Sequence, residues 1–226
     1  MYYTTMFFIF LNKYKEKLFS VFFFLFGKDN LRLQRVQNVS INLWKSMAKL
    51  RATENEVLYF FSYENKFVKD ALYYIKNKKD EVNLLALCNV ATDLLLEELG
   101  DLQTFDSGLD FIIISIPTSK EHVTKRGFNP SKIIAQKISE LLQIPYKDSV
   151  LEKTKNTPPQ KTLSRTKRLE NVKHSMRLNR KYNNALHGKS VIVIDDIVTT
   201  GATLAEAKRE LLKNGVRKVI CVAMAH

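Results

Sequence analysis

The sequence predicts an α/β protein with a mainly parallel sheet flanked by helices, preceded by an apolar or helical extension. Two wholly apolar runs, at 111–114 and 191–194, are typical of strands that are buried on both faces. Segments with helical periodicity follow them at 129–142 and 202–213, and another apolar strand is predicted at 218–223. Strands that alternate with helices in this way indicate a parallel sheet.

The first 57 residues are expected to form an N-terminal extension, and residues 58–226 a single domain. Two apolar runs, at 1–11 and 18–26, are each shorter than the ~18–20 residues that a helix needs to span a bilayer. Three interpretations stay open: an apolar element packed on the domain, a membrane-surface anchor, or translated sequence upstream of the true start. We therefore expect a cytoplasmic protein, with membrane association of the N-terminus as an alternative.

The remaining elements are predicted from local periodicity. These are a short strand at 59–63, helices at 67–76 and 82–99, and a short strand at 149–151. A polar, basic block follows at 154–180, and its prolines indicate that its first part is a loop.

The charge of the chain is unevenly distributed. Thirty-six Lys and Arg against twenty-three Asp and Glu give a net charge of +13. Residues 151–190 carry eleven basic side chains and two acidic ones. This excess indicates an anionic ligand, which is phosphate, nucleic acid or a membrane surface; the alternative is a solvated basic face without a partner.

The most informative segment is VIVIDDIVTTGATL, at 191–204. A buried strand ends in two adjacent carboxylates, Asp195 and Asp196, and a short hydroxyl-rich loop then begins a helix. Ligands of open α/β sheets bind at this end of the strands, and the N–H groups of such a loop can hold a phosphate. The carboxylates suit the vicinal hydroxyls of a sugar, directly or through a divalent cation. The alternative is that the acids only cap the helix.

Family resemblance follows from this segment and two others. VIVIDDIVTTGATL is similar to the signature with which type I phosphoribosyltransferases bind phosphoribosyl pyrophosphate (PRPP). Two further elements, "RGFNQ…LA" and "TxxQ…LxRxxRxxNV", are typical of the ComF family, which is linked to DNA uptake in natural competence. The first element is matched by 125–129 together with Ile134 and Ala135. The second is matched by 156–160, 163–165 and 168–172. The resemblance as a whole covers roughly 58–226.

The resemblance implies a role for each part of the site. Asp195 and Asp196 would hold the ribose hydroxyls, with Mg²⁺ bound through them and PRPP rather than in a protein cage. The residues that would hold the 5-phosphate are Thr199, Thr200, Gly201, Ala202 and Thr203. Those that would hold the pyrophosphate are Thr118, Ser119, Lys120, Lys125 and Arg126. For Lys120, a solvated surface lysine is the alternative.

The basic block would be a flexible lid over the site, spanning 153–181, as in other type I enzymes. Its positive charge exceeds what one PRPP needs, so the surplus suits a polyanion such as single-stranded DNA; a solvated lid is the alternative. The residues assigned to the lid or to nucleic acid are Gln160, Lys161, Arg165, Lys167, Arg168 and Lys173.

The sequence departs from the ComF family in two places. Many members begin with a four-cysteine zinc module, whereas this sequence has no cysteine before Cys88, so we expect no zinc. Its other cysteine, Cys221, also lies in an apolar stretch. Pro130 stands where the family usually has Gln, which leaves the role of that side chain open.

Two functions remain. The first is a ComF-like competence protein that binds PRPP and assists the uptake or processing of single-stranded DNA, with a competence helicase among its candidate partners. The second is an active phosphoribosyltransferase that acts on a small nucleobase in nucleotide salvage. The second is disfavoured because no base-binding segment is recognisable after the strand at 218–223.

Overall fold

The computed structural model describes residues 32–33, 35–37, 39–105, 108–154 and 174–226. The chain divides into two compact units, 1–39 and 40–226. In the first unit, residues 32–33 and 35–37 are helical. The two N-terminal apolar runs lie outside the described residues, so their interpretation stays open. The boundary expected after residue 57 likewise stays a prediction.

In the second unit, the described residues form seven strands in two sheets. The strands are β1 (Arg51–Ala52), β2 (Val57–Phe61), β3 (Phe111–Ser115), β4 (Leu151–Lys153), β5 (Met176–Leu178), β6 (Ser190–Ile197) and β7 (Lys218–Ala225). The larger sheet has the order β1-β2-β7-β6-β3. Its pairings are parallel except for the antiparallel edge pair β1 and β2, which confirms the predicted mainly parallel sheet. Strands β4 and β5 form a separate antiparallel pair.

Helices connect and cover these strands. They are α1 (Ile41–Met47), α2 (Lys66–Lys78), α3 (Glu81–Phe105), α4 (Lys120–Arg126), α5 (Pro130–Leu142) and α6 (Ala202–Lys213), with a short 3₁₀ helix at Arg180–Tyr182. None of the helices in the described part of the chain combines the length and the apolar character needed to cross a membrane.

The core explains why the central strands are so apolar. Val191, Ile192, Val193 and Ile194 of β6 are all completely buried, as expected for a strand covered on both faces. Helix α6 and the β4–β5 pair pack on the face that carries Val191 and Val193. Helix α5 packs against β3 and β6. Strand β6 is thus held by apolar contacts along its length.

Local interactions refine the predicted boundaries. Helix α6 has the predicted bounds, whereas β4 begins two residues later than expected, because Ser149 has a positive φ of 53° and belongs to a turn. The strand β5 and the helix α4 were not predicted. Both are short, and α4 is fixed by Ser119 at its N-cap and by Gly127 at its C-cap rather than by a long apolar pattern.

Candidate functional site

The carboxyl ends of three parallel strands meet at one edge of the sheet. The register pairs Ser115, the last residue of β3, with Ile194, and pairs Ile197 of β6 with Ala225 of β7. The segment 116–119 therefore begins beside Asp195, since the Ile116 N–H donates to the Ile194 carbonyl at 3.0 Å, and the segment 198–201 follows β6 at the same edge of the sheet. This is the edge at which open α/β sheets bind ligands, and it carries the residues that the sequence singles out.

Asp195 faces the ligand side of this edge. Its Oδ1 accepts hydrogen bonds from Ser131 Oγ (2.8 Å) and from the Asp196 N–H (2.9 Å). Its Oδ2 has no hydrogen bond or ion pair with any residue that the structure describes. Burial and the neighbouring charge of Asp196 raise the pKa of Asp195 to about 6, against the opposing effects of Ser131 and of Lys76. One oxygen of this carboxylate is thus available to a ligand.

Asp196 has quite different surroundings. Its Oδ2 forms an ion pair with Lys76 Nζ of α2 at 2.8 Å, and its Oδ1 accepts the N–H of Ile197 at 2.7 Å. Both oxygens are therefore occupied, and Asp196 is 9% exposed. The two adjacent acids, expected from the sequence to act together, have different partners because successive side chains of a strand point to opposite faces.

The loop after β6 forms a small hollow. It is lined by Asp195 and by residues 197–204, and Asp196 does not line it. Gly201 adopts a left-handed conformation with φ of 72° and precedes α6. The first hydrogen bond of the helix runs from the Ala205 N–H to the Gly201 carbonyl, so the preceding N–H groups lie at the helix start, where anions are favoured.

This hollow brings together the residues assigned to the 5-phosphate. Thr199, Thr200, Gly201, Ala202 and Thr203 all line it. The loop is anchored from outside, since Asn55 Nδ2 donates to the Thr200 carbonyl at 2.9 Å and His226 Nε2 lies 3.1 Å from the Thr199 carbonyl. The geometry suits a small anion held by backbone N–H groups and hydroxyls.

The segment after β3 is fixed by a side-chain amide. Asn129 Nδ2 donates to the Ile116 carbonyl (2.8 Å), while its Oδ1 accepts from Thr118 Oγ1 (3.2 Å) and from the Ser131 N–H (3.1 Å). Because Ser131 also donates to Asp195, this network joins the expected pyrophosphate segment to the strand-end acid. Pro130 occupies the first turn of α5, where a proline is well accommodated.

The other residues assigned to the pyrophosphate lie along α4. Ser119 is the N-cap of this helix and Lys120 is its first residue. Lys125 is exposed and Arg126 half-buried, in the last turn. The segment between β3 and α4 is therefore four residues, 116–119, followed by a short helix, and the assignment of these residues to pyrophosphate stays a prediction.

The predicted lid, 153–181, is described only at its two ends. There Lys153 lies in β4, 176–178 form β5 and Lys181 lies in the 3₁₀ helix, so these ends are regular structure and the predicted flexible segment is shorter. The lid residues assigned from the sequence, all between 160 and 173, lie outside the described residues. At its root, the Thr154 N–H donates to the Ser175 carbonyl at 2.8 Å. Lys153, the last residue of β4, is half-buried, and its ammonium group has no hydrogen bond or ion pair with a described residue. Burial lowers its pKa, while the nearby charge of Asp195 opposes this shift.

A larger cavity adjoins the hollow. It measures about 440 Å³ and is lined in part by Tyr59 and His226, whose rings lie 5.0 Å apart, and by Thr199 and Thr200. A second cavity of about 480 Å³ lies beyond the segment after β3 and includes Thr118 and Asn129. Both volumes are in the range of small-molecule sites.

Three contributors to the site were not found in the sequence: Lys76, Ser131 and Lys153. Lys76 belongs to the amphipathic helix α2, where a lysine in the last turn is ordinary, so no sequence signal distinguishes it. For Ser131, the preceding Asn-Pro pair was a usable signal of a helix start, since Asn is a favoured N-cap. Lys153 was grouped with the lid charges rather than with the strand-end acids.

The donor set fits a hard divalent cation only in part. The described residues include no group of three or more His, Cys, Asp or Glu side chains that could form a metal cage. The free oxygen of Asp195 is a donor of the type that Mg²⁺ prefers, and Mg²⁺ usually binds through one or two carboxylates together with phosphates of the substrate. Cys88 and Cys221 are buried, and burial raises the pKa of both thiols.

Comparison with known proteins places this site in a family context. The family model of the phosphoribosyl transferase domain matches residues 123–226. The DNA utilization protein YhgH of Escherichia coli O157:H7 is 35% identical over 126 residues, which are 56% of this chain and 54% of that protein. Competence protein F of Haemophilus influenzae is 32% identical over a stretch that covers 47% of this chain and 46% of that protein. Competence protein ComFC of Bacillus subtilis is 36% identical over a stretch that covers 46% of this chain and 40% of that protein.

The chain therefore spans about half the length of the relatives it matches, 54% for the E. coli protein. Among solved structures, that of adenine phosphoribosyltransferase from Saccharomyces cerevisiae aligns over 81% of this chain and 88% of that chain, at 14% sequence identity and with a TM-score of 0.35. With so low a score, the class assignment rests on the family match and on the sheet.

The parallel sheet, the acids at the end of β6 and the matched domain agree with the type I phosphoribosyltransferase fold. The relatives that the chain resembles in sequence include competence protein F, ComFC and YhgH. These matches support a ComF-family, type I phosphoribosyltransferase-like protein, in agreement with the resemblance seen in its motifs.

Proposed function

We propose that this chain is a ComF-like competence protein that binds PRPP with Mg²⁺ and assists the uptake or processing of single-stranded DNA in natural transformation. The observation that carries the PRPP part is the free oxygen of Asp195 beside the hollow formed by residues 197–204. A carboxylate acceptor next to a set of N–H donors is complementary to a sugar that carries both hydroxyls and a phosphate. The proposal places the protein in the cytoplasm.

Each part of the site has a chemical task in this proposal. The N–H groups and hydroxyls of 199–203 hold the 5-phosphate, and Asp195 accepts hydrogen bonds from the ribose hydroxyls. A bound Mg²⁺ would supply positive charge between the pyrophosphate and the sugar. Asn129 holds the segment that contains Thr118 in place. Lys153 adds a positive charge; because burial disfavours this charge, an anionic ligand nearby would stabilise it. Such prearranged charges are what phosphoribosyl chemistry demands.

The DNA part of the proposal rests on charge and on relatives. Residues 151–190 carry nine more basic than acidic side chains, eleven against two. Two relatives are named competence proteins and another is named a DNA utilization protein. Contact with phosphates along a single strand makes use of such an excess without any sequence preference. A competence helicase and the membrane surface remain candidate partners of the whole protein.

A second function is favoured by one observation, the 440 Å³ cavity beside the phosphate hollow. Tyr59 and His226 offer aromatic surface there, which suits a planar base. An active phosphoribosyltransferase would place its acceptor in such a cavity next to the sugar. Its acceptor is then a small nucleobase.

One experiment separates the two functions. The purified protein is incubated with PRPP, Mg²⁺ and a panel of nucleobases, and pyrophosphate release is measured. PRPP binding is followed in parallel by calorimetry. Binding without release for any base supports the competence protein, whereas base-dependent release supports the transferase. Absence of PRPP binding would overturn both.

The polyanion role of the lid predicts a specific change in salt dependence. Replacing Lys161, Lys167, Lys173 and Lys181 by Gln removes four positive charges and leaves the strand-end site intact. Each lost phosphate contact lowers the slope of log K against log salt by about 0.7, so that up to ~3 units disappear. The slope is measured by titration of a labelled single strand at several salt concentrations, and PRPP affinity is expected to stay the same.

The matched control replaces four exposed lysines outside the lid, Lys66, Lys78, Lys147 and Lys213, by Gln. It removes the same net charge and is expected to leave the slope within one unit of the wild-type value. If the lid variant loses PRPP binding but keeps its DNA affinity and salt slope, the lysines serve the small ligand and the polyanion role is wrong.

A further inference from the structure

The ion pair between Lys76 and Asp196 is the most unusual feature of the site. Adjacent carboxylates at the end of a buried strand repel each other and lose solvation, so at least one needs a compensating charge. Lys76 supplies it, with Nζ 2.8 Å from Asp196 Oδ2. The side chains of the pair are only 23% and 13% exposed, which distinguishes it from an ordinary surface ion pair.

Lys76 comes from an element far away in the sequence. It lies in the last turn of α2, where the helix dipole favours a positive charge, and it is 120 residues from Asp196. Its charge also acts on Asp195, where it favours the ionised carboxylate. The ammonium group is therefore paired with Asp196 and its charge also reaches Asp195.

The two acids are left with different capacities for ligands. Asp196 has one oxygen on Lys76 and the other on the Ile197 N–H, and it does not line the hollow. Asp195 lines the hollow, and its Oδ2 has no partner among the residues that the structure describes. A divalent cation that approaches without a sugar phosphate thus finds one available carboxylate oxygen and a resident ammonium group nearby.

We propose that Lys76 is a built-in counter-ion that keeps the acidic pair from binding a divalent cation alone, so that the metal enters only together with the sugar phosphate through Asp195. This inference rests on the proposed function for the identity of the sugar phosphate. It concerns a positioning residue, because Lys76 acts through Asp196 and Asp195. Without its ammonium group, Asp196 gains a free carboxylate oxygen and the pair becomes a better site for a hard cation.

The test uses Mn²⁺ alone as the probe, with no sugar phosphate present. In the variant Lys76→Met, we expect one Mn²⁺ to bind at least tenfold more tightly than in the wild type, measured by electron paramagnetic resonance of free Mn²⁺. Metal that binds only the folded state also stabilises it. Thermal unfolding of Lys76→Met is therefore expected to begin at a lower temperature in a chelator and to recover on addition of Mn²⁺.

Two control variants separate charge from shape. Lys76→Arg keeps the positive charge, and Lys78→Met removes a charge from an exposed residue two positions further along the same helix. Both are expected to bind Mn²⁺ as weakly as the wild type. The double variant Lys76→Met with Asp196→Asn is expected to lose the gain, because the freed carboxylate is no longer present.

The inference is overturned if Lys76→Met shows neither tighter Mn²⁺ binding nor recovery of stability by Mn²⁺, or if Lys78→Met shows the same gain. Failure of the proposed function has a different signature. In that case the wild type does not bind PRPP with Mg²⁺ by calorimetry, whatever the outcome of the Mn²⁺ comparison.

Discussion

Replacing Asp195 by Asn is expected to lower the affinity for PRPP with Mg²⁺ at least 100-fold and to leave the fold intact. The free oxygen of Asp195 is the charged acceptor at the hollow, and the amide of Asn is neutral. Loss of hydrogen bonds to a charged group costs about 3 kcal/mol, which corresponds to ~100-fold in affinity. Titration calorimetry in Mg²⁺ measures the change.

The same variant is expected to unfold at a higher temperature than the wild type at pH 7. The folded-state pKa of Asp195 is raised to about 6, because burial and Asp196 disfavour its charge. Folding therefore favours the protonated carboxyl, and the stability associated with that proton is present at acidic pH and is lost as the pH rises through about 6. Asn avoids this loss while its oxygen still accepts the Ser131 and Asp196 hydrogen bonds.

The control for both effects is Asp110→Asn, an identical change at the opposite end of the same strands, where the Asp110 side chain is 62% exposed and pairs with Lys189. It is expected to leave PRPP affinity unchanged and not to raise the unfolding temperature at pH 7. The assignment of Asp195 to the ligand is wrong if Asp195→Asn binds PRPP within threefold of the wild type.

Replacing Gly201 by Val is expected to abolish binding of the 5-phosphate. Gly201 has a φ of 72°, which costs a β-branched residue roughly 1–3 kcal/mol or more. A Cβ there would lie 3.4 Å from Asn55 Nδ2, so a branched side chain would displace the amide that holds the Thr200 carbonyl. Ribose 5-phosphate titration is expected to show no binding at concentrations that saturate the wild type.

Gly188→Val is the matched control for backbone strain. Gly188 also has a φ of 72°, no atom lies within 4 Å of the position of its Cβ, and it lies outside the hollow. Both variants are expected to lose stability, measured by thermal unfolding, but only Gly201→Val is expected to lose the phosphate. Normal ribose 5-phosphate binding by Gly201→Val would show that the loop does not hold the 5-phosphate.

The sequence alone determined the buried strands β3 and β6, the helix α6 and the place of the candidate site. Buried parallel strands need unbroken apolar runs, so 111–114 and 191–194 were recognisable without any tertiary information. The acids and the Thr-Thr-Gly loop were equally recognisable, because a strand, a loop and a helix that follow one another form a local unit. Their resemblance to a known family added the expected ligand.

Only the tertiary structure decided how the two acids differ. Asp195 and Asp196 are neighbours in the sequence, yet their partners Ser131 and Lys76 come from α5 and α2, which lie 64 and 120 residues away in the chain. A sequence pattern encodes which side chains share a strand or a helix, but not which helix end reaches which strand end. Packing of α5 and α2 made that choice, so that Asp195 lines the hollow and Asp196 does not.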